Sequence, residues 1–243
     1  MRQKALTTVY KLAKRDPRVI FIGSDLGAGT LQAMREDIPG QFFMEGISEQ
    51  HIVGFAAGLA QEGFIPYINT IGTFLTRRSF EQVSIDVGLH RLPVRLLSSG
   101  GGMVYAPLGP THTAIEDFSL MLSVPNMKVF APADAFEMEN LLTALVDDGD
   151  PHYVRFGKGG ETIVTQDFPT FDLMPKVGQH KVTPWLQGWF RAASQSHRTG
   201  VVVRYVLMNS LKLSTMGIRV DTPLGYSGRV RGFSYRRTEG WEH

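Results

Sequence analysis

Short apolar runs alternate with segments of helical periodicity through the first 165 residues of the chain. The runs stand at residues 19–22, 41–44, 64–69, 92–97, 127–130 and 152–156. Between them, apolar residues recur at helical spacing, as do Phe80, Val83 and Val87. Strands that alternate with helices form βα units, which build a mostly parallel sheet flanked by helices. We therefore predict an α/β fold for residues 1–165.

The rest of the chain, residues 166–243, differs in pattern and charge. Residues 1–175 carry 14 Lys and Arg against 20 Asp and Glu, whereas residues 176–243 carry 11 against 3. Apart from a strand expected at 200–207, clean periodicity is missing. We predict a second, truncated or atypical α/β segment at 166–243. Its basic residues are scattered, so a solvated surface explains them better than a nucleic-acid partner does.

Composition excludes several classes of protein. The 243 residues contain no cysteine, which rules out disulfides, thiolate nucleophiles and cysteine-ligated zinc. No apolar stretch reaches the roughly 18 residues of a membrane helix, so we expect no membrane partner. The first residues are polar and lack the apolar core of a signal peptide. We expect the chain to act in the cytoplasm.

A helix is predicted between Ser48, in the N-cap position, and Gly63, which follows its end. Its apolar stripe consists of Ile52, Phe55, Ala56 and Leu59. Gly54 and Gly58 lie one turn apart inside it, and each costs about 1 kcal/mol relative to alanine. We expect the close approach of another helix to offset that cost.

Glu49 lies in the first turn of this helix. A carboxylate there complements the helix dipole, which contributes about 0.3–1 kcal/mol. The alternative is a rigidly placed acid that takes part in chemistry. The local pattern alone favours the dipole explanation, because helix N-termini commonly carry Glu.

Two loops that follow predicted strands are candidates for binding. Residues 23–29 form a glycine-rich turn, but Gln32 stands where a dinucleotide fingerprint needs its third glycine. Asp25 would lie at the carboxyl end of a strand, where ligands gather in open α/β sheets, or else would cap the next helix. The second loop, at 98–113, is long for a compact domain, and such loops are usually functional or disordered. A helix is expected to start at Thr113.

Four motifs, in this order, resemble the pyrimidine-binding half of the transketolase family of thiamine diphosphate enzymes. They are Gly23-Ser-Asp25, Glu45-Gly-Ile-Ser-Glu49, Thr73-Phe-Leu-Thr-Arg77 and Gly109-Pro-Thr-His112. The resemblance covers roughly residues 1–165. It implies the C-terminal (β) subunit of a split transketolase, which transfers a ketol unit between sugar phosphates or related sugars with thiamine diphosphate as cofactor.

By this resemblance Glu49 is the cofactor-activating glutamate. Thiamine reacts as a carbanion only after its thiazolium C2 proton is lost. A protonated carboxyl group near the pyrimidine N1′ stabilises the imino form, whose 4′-nitrogen then takes that proton. Burial favours such a protonated carboxyl group and a helix N-terminus disfavours it. We expect burial against a partner chain to prevail.

The resemblance assigns three more residues to the cofactor. Phe74 would stack on the pyrimidine ring, although an ordinary core position is the alternative. Arg77 matches a position that the deoxyxylulose-phosphate synthase branch also fills with arginine. Asp25 matches a family aspartate near the thiamine site. Arg78, one residue further along, is expected to be solvated.

His112 and Arg155 are the residues that the resemblance assigns to the substrate. His112 would contact the donor near the reacting carbon and steady the alkoxide formed there. Its alternative role is to cap the following helix. Arg155 would bind a substrate phosphate through its bidentate guanidinium, with help from Lys158.

Two departures from the family pattern change these expectations. Leu108 stands where ordinary transketolases have an aspartate that reads a sugar hydroxyl, so the sugar is expected to be unusual. The family's Gly-Asp-Gly…Asn motif, which holds Mg²⁺ and the diphosphate, has no counterpart here. We therefore expect no metal site on this chain and a partner chain with the diphosphate-binding domain, in an α2β2 assembly. The Gly54 and Gly58 face would suit that contact.

Two other functions remain open on the sequence. Arg77 points towards a pyruvate-using thiamine enzyme, such as a deoxyxylulose-phosphate synthase or a dehydrogenase β chain. Residues 200–212 resemble the second strand of the family's third domain, but their surroundings do not. This suggests a truncated or frame-disrupted segment, and hence a non-catalytic chain that only binds its partner.

Overall fold

The structure, a computed structural model, describes residues 1–24 and 28–166. Asp25 lies outside these residues, as does nearly all of the atypical segment predicted at 166–243. The domain boundary near residue 165 and the nature of the second segment therefore stay predictions.

Six parallel strands form one sheet, in the order β2-β1-β3-β4-β6-β5. The strands are β1 Val19–Gly23, β2 Phe42–Met44, β3 Ile65–Ile71, β4 Arg95–Ser99, β5 Lys128–Phe130 and β6 His152–Phe156. Each of them overlaps one of the six apolar runs, although β4 begins and ends later than the run predicted at 92–97. The predicted α/β fold with a parallel sheet is confirmed.

Helices cover both faces of the sheet. They include α1 Arg2–Ala13, α2 Gln32–Asp37, α3 Glu49–Gln61 and two further α-helices, Asp117–Ser123 and Ala135–Ala144. On one face, α1 and Ala135–Ala144 pack against side chains such as Val19 and Phe21. On the other, α3 packs against Ile20 and Ile22. Each fully buried side chain of this size stabilises the fold by about 1.5–3 kcal/mol.

The helical segment marked by the spacing of Phe80, Val83 and Val87 extends from Phe74 to Leu89 and is divided into three parts. These are a π-helical turn at Phe74–Arg78, a short α-helical segment at Phe80–Gln82 and a π-helical stretch at Val83–Leu89. Ser79 departs from helical geometry, with φ −112° and ψ 21°. Its hydroxyl donates a hydrogen bond of 2.8 Å to the carbonyl of Phe74, so the side chain competes with the backbone ladder.

Helix α3 begins and ends where the sequence predicts, but its buried face is rotated. Phe55 and Leu59 are only partly buried, and Phe55 packs edge-on against Phe43 at a centroid distance of 5.4 Å. The buried residues beyond the first turn are Ile52, Val53, Ala56, Ala57 and Ala60. Alanines allow the helix to lie close to the sheet, which moves the larger side chains to the rim.

The glycines of α3 have no close neighbour within the described chain. A β-carbon on Gly54 would lie 3.9 Å from Asp86 Oδ2, and one on Gly58 would meet nothing within 4 Å. Within residues 1–24 and 28–166, therefore, no close approach requires a glycine at either position.

The two ends of the parallel strands differ in character. The strand order reverses between β1 and β3, so a crevice opens at their carboxyl ends, where ligands of open α/β sheets bind. At the amino ends, the fully buried Arg95 donates hydrogen bonds to the carbonyls of Leu145 (2.9 Å) and Asp150 (2.7 Å). These bonds satisfy backbone groups after the last turn of Ala135–Ala144.

Across residues 1–24 and 28–166, no helix combines the length and the hydropathy needed to cross a membrane.

Candidate functional site

Glu49 lies at the carboxyl edge of the sheet, because α3 starts immediately after the loop that follows β2. Its side chain is 1% exposed. Oε2 accepts a hydrogen bond of 2.6 Å from Arg78 Nη1. Oε1 is also buried, and no donor among the described residues reaches it. A buried carboxylate oxygen without a donor is costly, so the site favours a ligand that brings one.

Phe74 and His112 complete a cluster with Glu49. The Arg78 guanidinium lies over the Phe74 ring, with its Cζ 3.9 Å from the ring centroid. The His112 ring meets Phe74 edge-on, at a centroid distance of 5.1 Å and an interplanar angle of 72°. Three residues predicted from separate motifs therefore lie together, and Arg78 bridges the acid and the aromatic ring.

Arg77 points towards the loop that carries His112. Its Nη2 donates to the carbonyls of Pro110 (2.8 Å), Thr111 (3.2 Å) and Thr113 (3.3 Å). Its Nε lies 3.2 Å from Glu116 Oε1. Arg77 thus fixes the backbone beside the histidine, while its predicted cofactor contact stays a prediction.

Arg78 is the residue of this cluster that sequence reasoning missed. We expected it to be solvated, and its side chain is indeed 43% exposed, but its guanidinium contacts both Glu49 and Phe74. Hydrogen bonds in a π-helical turn span five residues instead of four, which changes the direction of each successive side chain. The adjacent arginine pair was a signal that one of them had to face the site.

The loop after β4 is closed on itself. Gly102 and Ala114 form a two-way backbone bridge, with N···O distances of 2.8 and 2.9 Å. Two short 3-10 turns, Ala106–Leu108 and Pro110–His112, lie within it. The next helix begins at Asp117, not at Thr113, and its N-cap is Glu116. His112 therefore does not cap that helix.

A buried polar chain supports this loop from below. Ser98 Oγ lies 2.7 Å from the Tyr153 hydroxyl, which donates a hydrogen bond of 2.8 Å to Asp117 Oδ2. Arg155 Nε lies 3.3 Å from the same oxygen. Burial raises the pKa of the Asp117 carboxyl group, although Arg155 and the Tyr153 hydrogen bond oppose that shift. Burial also raises the pKa of Tyr153.

Arg155 runs directly beneath the glycines that open the loop. A β-carbon on Gly101 would lie 1.7 Å from Arg155 Nε, and one on Gly102 would lie 2.6 Å from its Nη2. The guanidinium also lies over the Phe118 ring, 4.5 Å from its centroid. Arg155 therefore supports the loop, and its side chain is only 18% exposed. Phosphate binding by Arg155 stays a prediction, and Lys158 is the exposed cation nearby in sequence.

The cluster fits part of the cofactor that the sequence implied. An unpartnered buried carboxylate oxygen beside an aromatic ring suits a flat nitrogen heterocycle such as a pyrimidine. Among the described residues, no group of three or more His, Asp or Glu side chains is arranged to hold a metal ion.

Comparison with known proteins identifies the family of the chain. Residues 1–160 match the family described as "Transketolase, pyrimidine binding domain". The chain is 41% identical over 167 residues to a 1-deoxy-D-xylulose-5-phosphate synthase of Syntrophus aciditrophicus, a match that covers 68% of this chain and 25% of the relative. It is 34% identical over 158 residues to the B subunit of the apulose-4-phosphate transketolase of Phocaeicola vulgatus, covering 65% of this chain and 51% of that protein. The chain thus spans between a quarter and a half of these relatives.

Solved structures show the same fold. A split gene transketolase, described as an inactive β4 tetramer, is 30% identical and aligns with a TM-score of 0.63 over 70% of this chain and 55% of its own. A transketolase of Campylobacter jejuni, at 19% identity and a TM-score of 0.58, covers 66% of this chain and 26% of its own and shows the fold alone. The chain therefore belongs to the transketolase family of thiamine diphosphate enzymes, through its pyrimidine-binding domain.

Proposed function

We propose that this chain is the β (C-terminal) subunit of a two-chain transketolase-like enzyme, which transfers a ketol unit between sugar phosphates or related sugars. One observation carries the proposal. The buried Glu49 carboxyl group leaves Oε1 without a donor, and Arg78 links its Oε2 to the face of the Phe74 ring. That pair suits the aminopyrimidine of thiamine diphosphate, because the acid can share a proton with a ring nitrogen while the aromatic ring stacks on its face.

Each residue then has a distinct task. Thiamine diphosphate, when bound, supplies an acidic carbon that becomes the nucleophile. Glu49 would form a hydrogen bond with a ring nitrogen of the pyrimidine, and Phe74 would orient the ring by stacking. His112, whose ring contacts Phe74, donates a hydrogen bond to the substrate oxygen that gains negative charge. Asp25 is proposed to lie near the thiamine, as the family motif implies.

The diphosphate and Mg²⁺ are proposed to be held by a partner chain, in an α2β2 assembly. The similarity to the B subunit of one transketolase and to a split gene transketolase supports a partner. The open surface at Gly54 and Gly58 is suited to the contact, since no described part of this chain covers Gly58.

The substrate is proposed to be a sugar or sugar phosphate with an apolar contact at Leu108. This side chain is 58% exposed at the end of a 3-10 turn, four residues before His112. A leucine cannot accept a hydrogen bond from a sugar hydroxyl, so the substrate must be selected in another way. Arg155 and Lys158 are proposed to bind its phosphate, and Arg77 to hold the loop against the cofactor.

A pyruvate-using enzyme is the second candidate. It is favoured by the 41% identity to a 1-deoxy-D-xylulose-5-phosphate synthase. Assays of the assembled chains with a ketose donor and with pyruvate separate the two candidates. Binding of the partner without turnover of either donor would instead indicate a non-catalytic subunit.

Substitution of Glu49 tests the proposal itself. The Glu49→Gln variant, assembled with its partner and thiamine diphosphate, is expected to lose at least about a hundredfold in turnover while keeping its fold. Glu62→Gln is the matched control, because Glu62 is an exposed glutamate at the other end of the same helix. Turnover of Glu49→Gln close to that of the control would refute the assignment.

A further inference from the structure

Arg78 occupies the space that the proposed ligand needs. Its guanidinium is planar, lies over the Phe74 ring at 3.9 Å and donates to Glu49 Oε2 at 2.6 Å. An aminopyrimidine that pairs with the free Oε1 of Glu49 and stacks on Phe74 would need the face of the ring that the guanidinium covers. The arginine and the heterocycle therefore compete for one site.

We propose that Arg78 is a specificity-determining residue, which fills the heterocycle site until a ligand displaces it. This inference rests on the proposed function, because it takes Glu49 and Phe74 as the cofactor contacts. A ligand must displace the stacked guanidinium, which also removes the hydrogen bond from Arg78 to Glu49 Oε2, and it must supply a donor to the Glu49 carboxylate in return. Flat heterocycles that also carry a donor nitrogen meet that requirement, whereas aromatic molecules without a donor leave the buried carboxylate unpaired.

The local structure allows the exchange. Arg78 ends the π-helical turn Phe74–Arg78, and its side chain is 43% exposed, so it can rotate into solvent without disturbing the core. Its neighbour Arg77 is tied to three backbone carbonyls and stays with the loop. One arginine of the pair is thus fixed and the other can be displaced.

Displacement lowers the apparent affinity of the site. If only the fraction of molecules with Arg78 turned away can bind, the apparent Kd rises by the inverse of that fraction. The contacts to be broken are one partly exposed ion pair and one cation–π contact, which together correspond to about a tenfold change in Kd.

Calorimetric titration of the full-length chain with 4-amino-5-hydroxymethyl-2-methylpyrimidine tests this. Arg78→Ala is expected to bind the probe about tenfold more tightly than the wild type. Arg78→Lys should fall between them, because lysine keeps the charge but not the planar stack. Arg91→Ala is the control, since Arg91 is an exposed arginine paired with Asp150. The affinity of this variant for the probe should match that of the wild type. Methylguanidinium should compete with the probe in Arg78→Ala, because it restores the missing group.

The inference fails if Arg78→Ala binds the probe with wild-type affinity or more weakly, if methylguanidinium does not compete, or if the probe binds neither protein. None of these results decides the proposed function, which depends on turnover by Glu49→Gln in the assembled enzyme. If Glu49→Gln loses turnover but Arg78→Ala binds the probe with unchanged affinity, the proposed role of Glu49 is supported and the proposed role of Arg78 is refuted.

Discussion

The Arg155 side chain lies so close to Gly101 that a β-carbon on the glycine would be 1.7 Å from Arg155 Nε. The glycine is required by this packing and not by a left-handed backbone. Arg155 is in turn held by the buried Asp117. The first residues of the His112 loop therefore rest on a buried ion pair, which fixes where the loop leaves the sheet.

Replacement of Gly101 by alanine should displace Arg155 and destabilise the protein. Overpacking of a filled site typically costs about 1–3 kcal/mol. Gly149→Ala is the control, because a β-carbon there meets nothing within 4 Å. Urea unfolding of both variants measures the difference. The double variant Gly101→Ala with Arg155→Ala should show a coupling that relieves part of the loss, and strict additivity would contradict the contact.

Arg77→Met should make the loop that carries His112 more mobile and should lower the free energy of unfolding only slightly. Three carbonyl contacts are lost, but the Arg77 side chain is 40% exposed, so the free energy of unfolding should fall by only about 1 kcal/mol. Limited proteolysis within residues 103–113 should become faster than in the wild type. Arg18→Met, a similarly exposed arginine elsewhere, should leave that rate unchanged. Equal rates in all three proteins would show that Arg77 does not hold the loop.

Asp134 joins two segments through one carboxylate. Oδ1 accepts from the amides of Phe136 and Glu137, each at 2.9 Å, and caps the helix Ala135–Ala144. Oδ2 accepts from the amides of Val164 (2.7 Å) and Thr165 (2.8 Å). These hydrogen bonds outweigh burial and lower the pKa of Asp134.

Asp134→Ala should therefore destabilise the protein by about 2–3 kcal/mol, more than the loss of a helix cap alone. Hydrogen exchange should rise at Val164 and Thr165 as well as in the helix. Asp147→Ala, which removes a side chain that is 81% exposed, is the control. Faster exchange confined to the helix would mean that Val164 and Thr165 are held by contacts other than those to Asp134.

His152 should make the fold sensitive to moderate acid. It is fully buried, its ring meets Phe130 edge-on at 5.4 Å, and burial lowers its pKa from 6.5 to about 4 in spite of Asp148 at 3.4 Å. Below pH 6.5 the unfolded chain takes up the proton first. Stability is therefore complete above pH 6.5 and is lost as the pH falls towards 4, by up to about 3 kcal/mol.

Urea unfolding at about pH 7 and about pH 5 measures this loss. The His152→Leu variant removes the titrating ring, so its free energy of unfolding should change less over that interval. Asp148 and Asp150 do not affect the comparison, because their pKa values are lowered and their contribution to stability is lost only in stronger acid. An equal decline in both proteins would refute the assignment to His152.

Much of the fold could be predicted from the sequence because its signals are local. Apolar runs marked all six strands. The rotation of α3 could not be predicted, because the choice between Phe55 and Val53 as the buried residue depends on the distance between helix and sheet. The break at Ser79 depends on one side-chain hydrogen bond, which leaves no trace in the periodicity.

The candidate site was predicted in part. Glu49, Phe74 and His112 stood in separate motifs, and the parallel sheet brings the ends of their strands to one edge. The positions of Arg77 and Arg155 could not be derived, because long cationic side chains take whichever partner the local backbone places within reach. Arg77 donates hydrogen bonds to loop carbonyls, and Arg155 forms an ion pair with the buried Asp117.

The two ends of the parallel strands differ in how well they tolerate substitution. Buried Arg95 and His152 stand at the amino ends and tolerate little change, because each lies in a fixed environment of packed groups. The loop that carries Leu108 and His112 leaves from the carboxyl ends and is anchored at only a few points. Exposed residues of this loop, such as Leu108, can therefore change with little effect on stability, whereas Gly101, which packs against Arg155, cannot.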